Sequence, residues 1–165
     1  MSRWWWVNLA LAIYCGALLL VLLQPAAVDT PGMTLTALDP AAIQLIRIER
    51  HDRLELVFER RADAWHMTHP RSAPAAARRV GQLLAVASAP LQPITAGADA
   101  AARYGLQPPQ AVLHLDALQV EFGALDPSQR LRYVRSHGQT GAIDDLYYNL
   151  LQLPATHFID REAER

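Results

Sequence analysis

Lysine is absent from this 165-residue sequence, so all fifteen of its basic residues are arginine. That reads as a compositional bias toward arginine and alanine rather than as chemistry. Cysteine occurs once, at Cys15, which leaves the chain beyond it without an internal disulfide and without a thiol nucleophile. There is no Gly-x-Ser-x-Gly elbow and no glycine loop of the Walker kind, so two familiar marks of hydrolase and nucleotide chemistry are missing. The formal net charge is -1, and no basic stretch offers a footprint for nucleic acid or anionic lipid. The most consequential absence is of charge between Trp4 and Leu23, a run in which Asn8 is the one strongly polar residue.

A helix over that run would span roughly 30 Å at 1.5 Å per residue, the thickness of a bilayer's hydrocarbon core. Trp4, Trp5 and Trp6 stand where an aromatic belt lies. A cleaved signal peptide is the competing reading, but its apolar core is shorter and ends at a small-x-small site. Here Pro25 occupies the position that wants a small residue if cleavage follows Ala27. Cys15 lies in mid-run behind Ala-Ile-Tyr, a poor lipobox. An uncleaved anchor is therefore expected. Arg3 precedes it and Asp29 is the first charge after it, so the positive-inside bias keeps the N-terminus cytoplasmic and exports the remainder. Asn8, Ala12 and Gly16 share one helical stripe, either a close helix–helix contact or chance small residues facing lipid.

The expected division is a cytoplasmic tip at 1–3, a transmembrane helix at 4–23, a linker at 24–34, a folded domain at 35–160 and a charged tail at 161–165. Within the domain, Asp39-Pro40 opens one short helical turn to Ile43. Apolar residues then alternate: Ile46 and Ile48; Leu54, Leu56 and Phe58; Trp65 and Met67, with a turn at residues 50–53. That is a three-strand meander. From Pro74 the period becomes helical, with Ala76, Val80, Leu83, Leu84 and Ala87 on one face, until Pro90. A Pro-rich connection to Gly97 leads to a short helix around Asp99 to Tyr104, which Gly105 stops.

The second half follows the same plan. Leu113 and Leu115 precede a tight Asp116-Ala117 turn; Leu118, Val120 and Phe122 alternate after it. A loop at 123–129, a strand through Leu131 and Tyr133, a turn at 138–141 and a short strand at Ile143 come next. Leu146, Tyr147, Leu150 and Leu151 then look helical. The segments 54–59 and 118–123 match in pattern, so the expected fold is α+β: two β-β-β-α-like units with antiparallel sheet.

Tyr104-Gly105-Leu106-Gln107-Pro108-Pro109, directly before a strand, resembles the hallmark of the bacterial family called domain of unknown function 4340. Ile43-x-x-Ile46-x-Ile48, Phe58, the Trp65-x-Met67 strand running into Pro70, and Arg132-Tyr133-Val134 resemble it too. The resemblance covers about residues 35 to 160. It implies one N-terminal membrane helix, a periplasm-facing domain at the inner membrane, and auxiliary service beside gliding-type ABC transporters. It transfers no catalytic residue. Physically, Tyr104, Gly105, Leu106, Pro108 and Pro109 need no activity: Gly105 takes positive φ at a helix end, Leu106 plugs the core, and the prolines force an extended approach to the strand.

Residues of chemical character are few. His66-x-x-His69 is the nearest approach to a metal pair, but positions three apart on a strand face opposite ways. His51-Asp52 suits a turn, Asp144-Asp145 suits a helix cap, and Arg78, Arg79, Arg130, Arg132 and Arg135 read as solvated faces or partner contacts. No metal and no cofactor is expected. The favoured function is non-enzymatic: a membrane-anchored interaction protein with an integral membrane partner such as an ABC-type permease, with homo-oligomerisation open. The alternative is an envelope enzyme or ligand-binding protein with a pocket between the two halves.

Overall fold

Residues 33–95, 100–128 and 130–160 are described by a computed structural model. The chain divides into two units, Met1–Pro31 and Gly32–Arg165. The run at 4–23, with Asn8, Ala12 and Gly16, lies outside the described residues. Among the described residues no helix is long and apolar enough to cross a membrane.

The Asp39 carboxylate accepts from the Ala41 amide at 2.9 Å, and Pro40 is preset for a first helical position, so a single 3-10 turn forms over Pro40–Ala42. Three strands follow: β1 (Leu45–Arg50), β2 (Arg53–Arg61) and β3 (Ala64–His69). Next come β4 (Ala73–Pro74), α1 (Ala77–Leu84), a 3-10 turn at Ala85–Ser88, β5 (Gln92–Pro93) and α2 (Ala100–Arg103). The second series is β6 (Ala111–Leu115), β7 (Leu118–Leu125), β8 (Leu131–Ser136), β9 (Gln139–Asp144), α3 (Leu146–Leu151) and a last 3-10 turn at Ala155–His157. The class is α+β, and every strand pair is antiparallel.

The nine strands form one sheet in the order β4-β3-β2-β1-β6-β7-β8-β9-β5. It reads outward from the central β1–β6 pair as two mirrored series, each ending in a helix. The segment after each helix crosses to the far edge of the other series. β5, after α1, pairs with β9; Phe158–Asp160, after α3, runs beside β4 through the Ala75–Ile159 bridge. Each series thus closes the other's edge, and neither edge offers a long unpaired strand among the described residues.

One face of the sheet carries the core. Met67, Phe58, Ile46, Leu115 and Leu118 stand in register across it, as do Leu56, Ile48, Leu113 and Val120. Val80 and Leu83 of α1, Val86, Ala87, Leu151 and Phe158 cover these rows, all fully buried. The Phe58 and Phe158 rings meet at 5.4 Å between centroids.

Several sequence expectations are corrected. Each series has four strands rather than three. Two residues at β4 suffice for pairing, and β9 begins at Gln139, where a turn at 138–141 was expected; the turn is His137-Gly138, both at positive φ. β7 runs on to Leu125, into the expected loop. Leu54 does not join Leu56 in the core but is 44 % exposed. The pairing slips between Ile48 and Glu49, so Leu54 stands opposite Glu49 on the solvent face. β8 runs through Leu131 and Tyr133 as expected, and its buried residues are Arg132, Val134 and Ser136.

Candidate functional site

The Tyr104–Pro109 segment is built on a helix stop. The Leu106 amide donates to the Ala101 carbonyl at 2.8 Å and the Gly105 amide to that of Ala102 at 3.2 Å. These are the paired bonds of a Schellman cap, and they place Gly105 at φ +65°. The capped turn then lies directly on β7. The Ala124 amide donates to the Tyr104 carbonyl at 2.7 Å. A Cβ on Gly123 would stand 2.2 Å from that same carbonyl oxygen and 3.0 Å from Leu106 Cγ. Gly123 is thus the floor that admits the turn.

Leu106 is buried, but not in the core under the helices. It packs at Gly123, while the Tyr104 ring stacks on Tyr133 at 4.3 Å, with Tyr133 on the opposite side of β8 from Val134. Leu106 is thus fully buried against Gly123, outside the cluster beneath the helices. Gln107-Pro108 is a cis peptide bond, and Pro109 leads to Gln110, whose amide opens the β6–β7 ladder on the Phe122 carbonyl at 2.8 Å. Trp65 sits apart from this segment, buried on β3.

Gln110 carries the segment into a polar cluster that the sequence did not reveal. Arg132 is 8 % exposed. Its Nε donates to Asp145 Oδ1 at 2.5 Å, and Nη1 donates to Gln110 Oε1 at 2.9 Å and to the Gly123 carbonyl at 2.7 Å. Its guanidinium carbon lies 3.5 Å from the centre of the Tyr148 ring. One side chain therefore ties together the signature segment, the irregular stretch of β7 and the start of α3. Buried charge is costly unless paired and hydrogen-bonded, and here it is both, so the chemistry of the cluster is structural cohesion. Asp144 Oδ1 accepts from the Leu146 amide at 2.8 Å, so the two adjacent aspartates divide the work of opening α3.

The other expected solvated arginines differ among themselves. Arg135 pairs with Glu121 across β8 and β7, Nε to Oε2 at 2.7 Å, while Arg78 is exposed. Asp116 does more than turn a hairpin. Its carboxylate accepts from the Leu45 amide at 2.8 Å and the Gln44 amide at 3.1 Å, fastening the second series to the start of β1. His66 and His69 both lie on β3, the first half-buried and the second exposed. Among the described residues no group of three or more His, Cys, Asp or Glu side chains could hold a metal ion.

Among the described residues, two open grooves stand out. The larger, about 430 Å³, has Trp65, Leu84, Gly81, Ala85, Pro40 and Arg60 along it. The smaller, about 310 Å³, runs past Met33, Leu91, Ile94 and Gln139. Arg60 is already engaged, donating to the Ala41 carbonyl at 2.7 Å. The two series themselves meet through the β1–β6 backbone ladder.

Compared with known proteins, residues 65–163 match the family model described as Domain of unknown function (DUF4340). No curated protein and no solved structure matches the chain.

Proposed function

The chain belongs to the DUF4340 family, and from that premise we propose that it is a non-enzymatic, membrane-anchored interaction protein of the bacterial periplasm. It serves as an accessory component of a membrane complex of the ABC-transporter type. The uncharged run from Trp4 to Leu23 behind Arg3 carries this reading: as a helix it holds the N-terminus in the cytoplasm and the folded domain outside. The two mirrored series are read as copies of one unit. The saturated Arg132 cluster supports a structural role for its buried charge, and the apolar lining of the larger groove suits contact rather than reaction.

A linker of about ten residues reaches some 15–20 Å on average, so the domain works near the membrane surface. A multispanning permease is the partner, met partly through Asn8, Ala12 and Gly16. The test is purification of the full chain from membranes in mild detergent. A permease should accompany it, and Gly16→Leu should diminish the association. A chain that purifies alone, with cellular function untouched by Ala12→Leu and Gly16→Leu, would reduce the helix to a tether.

A further inference from the structure

We draw no further inference here: the strongest candidate, the open groove beside Trp65 and Leu84 on the helix side of β3, is an unpartnered surface, and nothing in the structure shows what covers it.

Discussion

Arg132 is the residue that ties β7, the approach to β6 and the start of α3 together. Removing one partner of a buried ion pair strands the other, typically at about 3–5 kcal/mol, whereas replacing both by apolar groups is often neutral. Arg132→Ala should therefore lower the unfolding free energy by about 3–5 kcal/mol in urea denaturation. Arg132→Met combined with Asp145→Leu should recover most of that loss. Equal losses for the single and the double variant would show that the ion pair itself holds α3 in place. The sequence hid this residue because an arginine alternating with Tyr133 reads as solvent-facing; only its distant partner Asp145 makes the inward register tolerable.

Asp126 makes a second prediction at this scale. Its carboxylate accepts from the Ser128 hydroxyl at 2.6 Å and the Leu131 amide at 3.0 Å, and these bonds hold its pKa below the ordinary 3.8, against a smaller opposing effect of burial. A carboxylate lowered by folding adds stability that is fully present above its unfolded pKa and is lost as pH falls through the folded one. An NMR titration should find the Asp126 midpoint below 3.8, and Asp126→Asn should flatten the fall in stability on the acid side of that value. A midpoint at or above the ordinary value would contradict the hydrogen bonding of this hairpin.

At the scale of elements, alternation made β1, β3 and β6 legible, and the Asp39-Pro40 pair marked its helical turn. What the pattern could not carry was register. A slip of one residue moves a whole side of a strand, and it does so at Leu54, where Ile48 and Glu49 take up two residues unevenly. The first series' fourth strand escaped notice because β4 is two residues long, and β9, expected as a short strand at Ile143, starts earlier than expected because Gly141 resembles turn chemistry. The Tyr104–Pro109 segment was legible as a helix stop, but its seat on Gly123 is a long-range fact that no local pattern contains. Gly123→Ala should destabilise by about 1–3 kcal/mol through forced backbone displacement, and it should shift the Tyr104 and Tyr133 ring resonances together. An effect on stability without those shifts would separate the glycine from the signature segment. Trp65→Ala should cost about 3–5 kcal/mol as a cavity on β3, measured in the same denaturation series.

For the whole molecule, reciprocal closure of the edges makes the two series interdependent. Ending the chain at His157 removes Phe158 from the Phe58 ring and the partner carbonyl of the Ala76 amide. The Ala76 amide should then lose protection from hydrogen exchange, and a protected Ala76 amide in the truncated chain would argue against edge closure. The matching 54–59 and 118–123 patterns lie on β2 and β7; the crossing of the closing strands was not visible, because pairing between residues 75 and 159 leaves no mark in either neighbourhood.

The proposed placement of the domain outside the cytoplasm rests on the sequence of residues 1–32, and one measurement addresses it directly. Trypsin added to intact spheroplasts meets arginines throughout the domain, in a chain whose one residue before the apolar run that it can cleave is Arg3. The anchored reading requires the domain to be digested from outside while a membrane-retained N-terminal fragment containing Trp4 to Leu23 survives. A domain that resists trypsin until the spheroplasts are lysed, or a chain released whole by alkaline washing, would contradict it.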